Sequence, residues 1–149
     1  MARALIKGVK DSAVEDTLVA KIKLAPEALP EDVLTASAYV FATPENLGAI
    51  SGLMKDFFDR CYYPALDKIN GRPYATLICA GSDGQNAARQ IERITTGWRL
   101  RAVADPLIVC THAQTAEAIL SPKTISAEDI LRCEALGSLM ANGLALGVF

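Results

Sequence analysis

The chain has 149 residues, length for one domain with a core covered on both sides. Hydrophobic residues make up 51% and charged residues only 21%, the surplus that a parallel sheet buried on two faces requires. A net charge of −2 and a pI of about 5.4, with no basic stripe or charge block, argue against nucleic acid and anionic membrane as partners.

The four cysteines, Cys61, Cys79, Cys110 and Cys133, are separated by 18, 31 and 23 residues, which matches no CxxC and no zinc spacing. They read as buried, reduced thiols of a cytosolic protein, Cys79 and Cys110 at the ends of apolar runs where a small hydrophobe fits. No apolar run reaches the ~18 residues of a membrane span, and the first residues, Met-Ala-Arg-Ala-Leu-Ile-Lys, lack the apolar stretch of a signal peptide. The expectation is one soluble, cytoplasmic domain over residues 1–149.

In chain order, residues 1–12 place Ala4, Leu5, Gly8 and Val9 on one helical face. From Thr17 to Leu24 the period becomes two, with Leu18, Ala20, Ile22 and Leu24 opposite Lys21 and Lys23, and predicts a half-polar strand near a sheet edge. Residues 25–35, with Pro26 and Pro30, allow at most a short helix. Ser37–Thr43 is apolar, uncharged and without alternation, which predicts a strand covered on both faces. Pro44–Gly48 reads as a turn. Ile50, Leu53, Met54, Phe57, Phe58 and Cys61 then follow helical spacing, in a helix expected to end before Pro64.

Tyr74–Ala80 predicts a second buried strand, feeding Gly81-Ser82-Asp83-Gly84. The next helix carries Ala87, Ile91, Ile94, Thr95 and Trp98, the last read as core or a subunit contact. Val103–Cys110 predicts a fourth strand that Pro106 makes an edge or breaks. Thr111–Ile125 reads as a long loop around His112. Ser126, with Asp129 three residues on, caps a last helix whose buried face is expected to hold Ile130, Cys133, Gly137, Met140, Ala141, Leu144 and Val148. Strands alternating with helices, two strands fully apolar, predict a three-layer α/β sandwich around a parallel sheet with four recognisable strands.

In such sheets ligands bind beyond the carboxyl ends of the strands. Two loops there are candidates: Thr43, Pro44, Glu45, Asn46, Leu47 and Gly48, and Ala80, Gly81, Ser82, Asp83 and Gly84. Both combine glycine with small polar side chains, so backbone amides can approach a flat ligand. Ordinary turns are built from the same residues. Glu45 reads either as a group that tunes a ligand's charge or as an exposed acid. His112, the only histidine, reads as structural or solvated rather than catalytic, and Tyr62 and Tyr63 as packing residues, with a place beside a ligand or in an interface as the alternatives. No catalytic side chain and no metal ligand set is assigned.

The run Thr-Pro-Glu-Asn-Leu-Gly-Ala-Ile-Ser-Gly-Leu-Met-Lys-Asp-Phe-Phe-Asp-Arg at 43–60 resembles the second flavin loop and following helix of flavodoxin-like NAD(P)H-dependent FMN reductases, a group that includes quinone reductases of the tryptophan-repressor-binding-protein type. Ser37–Pro44 is similar to the strand entering that loop, though Ala36 stands where family members often carry an acid, and Ile78–Ser82 resembles their third flavin loop. The resemblance implies a flavodoxin-like fold, FMN with its ring against 43–48 and 80–84, hydride supplied by NAD(P)H, and a quinone or similar small-molecule electron acceptor. The alternatives are a flavodoxin-type electron carrier, against which the modest charge argues, and a flavin-free interaction protein on the same scaffold. Apolar segments around Tyr62–Leu66 and 111–125 are compatible with a homodimer or homotetramer.

Family members open with a buried strand and a Ser/Thr/Gly-rich loop that holds the FMN phosphate at a helix N-terminus, and this sequence starts within the helix that follows. The usual first, central strand and the phosphate loop are therefore expected to be missing. The sheet should then show unpaired strand edges, or the strand at 17–24 should pair directly with that at 37–43. FMN binding by the chain as given is expected to be weak or absent. A start site assigned downstream of the true one is the expected explanation, and a gene product that has lost its cofactor site is the alternative.

Overall fold

Apolar strands alternating with amphipathic helices produce an α/β structure with a mostly parallel sheet. The computed structural model describes residues 1–12, 14 and 18–149, which fall into two compact units, Met1–Ile22 with Lys123–Phe149, and Lys23–Pro122.

In the first unit α1 (Ala2–Lys10) packs against α6 (Ala127–Ala145). Leu5, Gly8 and Val9 are buried along the expected face of α1. The Ser126 hydroxyl caps α6, accepting from the Asp129 amide at 3.0 Å and donating to its carboxylate at 2.7 Å. The two backbones meet at glycines. A Cβ on Gly8 would stand 1.8 Å from the Glu134 carbonyl oxygen, and one on Gly137 2.0 Å from that of Leu5. This crossing determines which face of α6 is buried: Cys133, Leu136, Gly137, Met140, Ala141 and Gly143. The expected face is corrected at Ile130, which is 38% exposed, at Leu144, which is half-buried, and at Val148, which is 66% exposed and lies beyond the helix.

The second unit holds α2 (Pro30–Thr35), β1 (Tyr39–Asn46), β2 (Ala49–Ile50), α3 (Gly52–Ala65), β3 (Pro73–Ala80), α4 (Gln85–Gly97), β4 (Arg101–Ala102), β5 (Leu107–Cys110) and α5 (Ala116–Leu120). The strand expected at 17–24 does not form: described residues 18–24 are in no strand, and Val19 and Leu24 are exposed. Thr17 lies outside the described residues. Alternation supplies a strand with two faces but not with a partner, and no described strand pairs with this segment. Five strands form the sheet where four were expected. β3 is central, parallel to β1 on one side and to β4 and β5 on the other. Pro106 lies in the break between β4 and β5, as a residue without an amide donor should.

One face of the sheet carries Tyr39, Phe41, Tyr74, Ile78 and Ala80 into a core completed by Met54, Phe57, Phe58 and Cys61 of α3 and by Ala87, Ile91 and Trp98 on and after α4. Phe41 and Trp98 meet edge to face with centroids 6.4 Å apart, and Phe58 and Trp98 at 5.3 Å. On the other face Ala75, Leu77, Leu107 and Val109 are buried, but Ala42 and Pro44 of β1 are exposed and Val40 only half-buried. The expectation of a strand covered on both faces therefore holds for β3 and fails for β1. Among the described residues, the side of β1 away from β3 pairs only with β2, through Glu45↔Ile50 and Asn46↔Ala49.

Three smaller expectations are corrected. α3 runs through Pro64 to Ala65, since a proline this close to the helix end forfeits a single intrahelical bond. Ile50 lies on β2 rather than on that helix, and Leu53 is 60% exposed. The segment 111–125 contains α5, whose Thr115 hydroxyl accepts from the Ala118 amide at 3.2 Å.

Cys61 and Cys133 are buried as expected, whereas Cys79 and Cys110, at the carboxyl ends of their strands, are only half-buried; burial pushes the Cys61 thiol pKa up, so the group stays protonated within the core. Arg72 ties α2 to the sheet, its Nη1 donating to the carbonyls of Val33, Leu34 and Ala36 at 3.1, 2.9 and 2.6 Å and to the Tyr39 hydroxyl at 3.1 Å.

Candidate functional site

Because β1, β3 and β5 run parallel, their carboxyl ends lie along one edge of the sheet, with Pro44 opposite Cys79 and Ala80 opposite Cys110. Residues 43–48 and 80–84 therefore emerge side by side, and Thr111 joins them by donating its amide to the Ala80 carbonyl at 2.9 Å. The expected turn at Pro44–Gly48 is in part strand. β1 continues to Asn46, and only Leu47 and Gly48 turn, both at positive φ (50° and 72°), as a type I′ hairpin requires.

Glu45 is half-buried and links the two loops. Its carboxylate accepts from the amide of Gly84, the residue at the N-cap of α4, at 2.9 Å and from the Ala87 amide in the first turn of that helix at 3.4 Å. Gly84 precedes that helix at φ 79°, and a Cβ there would lie 2.6 Å from Ile108 Cγ2, so no side chain at 84 can cap the helix. Asn86 on the first turn of α4 donates to the Gly48 carbonyl. Thr43, buried, donates its hydroxyl to Ser51 Oγ at 3.2 Å and accepts from the Ser51 amide at 3.2 Å, while Ser51 Oγ accepts from the Met54 amide and caps α3.

The loops thus form a braced rim. Along it Pro44, Asn46, Leu47, Gly48, Gly81, Ser82 and Asp83 are exposed, and Thr43, Ala80 and Gly84 are buried beneath. A Cβ on Gly81 would meet only the Ala113 carbonyl oxygen, at 3.7 Å, so the backbone is open to a flat ligand. Leu47 presents a fully exposed apolar side chain from a left-handed backbone, a conformation that needs support from elsewhere. His112 is exposed beside this rim, also at positive φ. No group of three or more potential metal-ligating side chains occurs among the described residues.

Sequence reasoning brought together Thr43 to Gly48 and Ala80 to Gly84, and the structure places all of them at this edge. It missed Ser51, Asn86 and Thr111. Ser51, three residues ahead of Met54 at the start of an apolar helical run, carried a capping signal that could have been read. Nothing in the sequence marks Asn86 as the partner of a carbonyl on another element.

The rim fits a planar ring better than an anion. Its two carboxylates, Glu45 and Asp83, face no lysine or arginine within 43–48 or 80–84. At the helix N-terminus that adjoins it, that of α4, Glu45 engages the amides of Gly84 and Ala87.

Comparison with solved structures defines the class as flavodoxin-like. A WrbA-like flavodoxin protein from Agrobacterium tumefaciens aligns at a TM-score of 0.69 with 14% identity, over 97% of this chain and 89% of that one. A flavodoxin from the domain Archaea aligns at 0.69 with 13% identity, over 96% and 90%, and an oxidoreductase from Corynebacterium diphtheriae at 0.55 with 22% identity, over 94% and 70%. No curated protein sequence matches. The family model described as NADPH-dependent FMN reductase matches residues 3–115, and the chain belongs to that family of flavin-associated oxidoreductases.

Proposed function

We propose that this protein is an FMN-dependent oxidoreductase that passes electrons from NAD(P)H to a quinone or similar small-molecule acceptor, with the flavin ring against residues 43–48 and 80–84. The observation that carries the reading is the Glu45 brace, which holds the tips of β1 and β3 and the start of α4 as one rigid edge. Bound there, FMN supplies the hydride and electron chemistry. The protein positions: backbone groups around Gly48, Gly81 and Ser82 are open to the ring edge, Leu47 offers an apolar contact, and the Glu45 charge is spent on α4 rather than facing the ring.

Binding by the 149-residue chain is weak in this proposal. Residues 43–48 and 80–84 offer no lysine or arginine to the FMN phosphate, and each hydrogen bond to a charged group that is not made there forgoes roughly 1.5–3 kcal/mol. The test is NADPH oxidation with a quinone present and FMN supplied in excess. The protein should accelerate turnover above free FMN, and Gly81→Val, which places a side chain on the rim, should remove most of that acceleration. No acceleration at any FMN concentration would favour the flavin-free scaffold instead.

A further inference from the structure

A second concavity is formed by β2, the first turn of α3 and the later half of α4. It is a cleft of about 470 Å³ lined by Ala49, Ile50, Gly52, Lys55, Gln90, Arg93 and Ile94, large enough for part of a cofactor-sized ligand. Its apolar lining is Ala49, Ile50 and Ile94. Ile50 is held there by its amide, which donates to Gln90 Oε1 at 2.9 Å. The cleft's charges are all positive. Lys55 is paired with Asp59 at 2.6 and 2.7 Å, but Arg93 is exposed and makes no hydrogen bond or ion pair among the described residues. The first turn of α3 adds the amide of Gly52, a residue whose Cβ would meet nothing within 4 Å.

We infer that this cleft receives the phosphate-bearing adenosine half of NADPH, with the adenine against Ile50 and Ile94 and the 2′-phosphate on Arg93, assisted by Lys55. The inference rests on the flavin reading of the rim. Three observations lead to it. An unpaired guanidinium over an apolar floor selects a ligand that is both flat and multiply anionic, and guanidinium is the side chain best matched to phosphate. One helix joins the two places: Glu45 binds the amides at the start of α4, Asn86 the hairpin and Gln90 the cleft floor, on successive turns. Arg93 stands nine residues beyond Gly84, about 14 Å along the helix axis, a span that an extended dinucleotide bridges. A donor with its nicotinamide at the rim would thus have its far end at the cleft, and the cleft would prefer NADPH to NADH.

The test needs no flavin. Calorimetric titration of the purified chain with adenosine 2′,5′-bisphosphate should show saturable binding, with adenosine 5′-monophosphate at least about tenfold weaker and Arg93→Gln weakening the bisphosphate by about tenfold or more. Arg101→Gln removes the same charge from the opposite end of β3, where Arg101 faces Pro73, and should leave binding unchanged. Both positions are exposed, and matched melting curves confirm that the variants fold. Absence of saturable binding, or equal affinities in the Arg93→Gln and unsubstituted chains, would overturn the assignment. Titration with FMN reports on the rim separately, so a failure there with Arg93-dependent bisphosphate binding intact removes the reductase reading and not the cleft.

Discussion

Glu45 is needed at the start of α4 because Gly84 can offer no side chain of its own. Left-handed backbone and the nearby Ile108 methyl exclude anything larger at 84, and an acid on a different element supplies the cap. In the sequence Glu45 could be read only as a ring tuner or an exposed acid, since a cap that arrives from a strand 39 residues earlier leaves no local signature. Replacing Glu45 by alanine leaves the Gly84 and Ala87 amides without that partner, and a destabilisation of about 1–3 kcal/mol is expected from urea denaturation. Glu45→Gln, which retains an acceptor oxygen, should recover part of it. A loss below about 0.5 kcal/mol in the alanine variant would mean that the carboxylate does not cap the helix.

At the scale of elements, legibility followed the number of partners an element needs. The amphipathic helices were readable because each shows its own buried stripe; α3, α4 and α6 fall where the apolar spacing placed them, within a few residues at their ends. β3 was readable because both its faces are buried. The segment 18–24 has a convincing alternation and still forms no strand, because pairing is a property of two segments and periodicity reports on one. The buried face of α6 was misjudged for a related reason: it is set by backbone contact with α1 through Gly8 and Gly137. Gly137→Ala would put a methyl group against the Leu5 carbonyl and force the helices apart. A loss of about 2–3 kcal/mol is expected, visible as a lower melting temperature, whereas Ala135→Gly, at an exposed position on the same helix, should cost only about 1 kcal/mol. Equal effects would show that the glycine contact is not what joins the pair.

At the scale of the whole molecule, the family and the class of fold were both visible in the 43–60 run, and the fold and family comparisons bear them out. How the site divides between ring and phosphate was not, because it depends on which amides are already engaged, and only the folded chain shows Glu45 holding those of Gly84 and Ala87. The central claim is that the tips of β1 and β3 seat a flavin ring. The most direct measurement is a paired titration of the 149-residue chain with FMN and with riboflavin, which carries the same ring and no phosphate, followed by flavin fluorescence. The account predicts that both bind in the micromolar range or weaker and within about tenfold of each other. Binding of neither would contradict the seat, and sub-micromolar FMN with a preference of about a thousandfold over riboflavin would contradict a site in which the ring rather than the phosphate carries the binding.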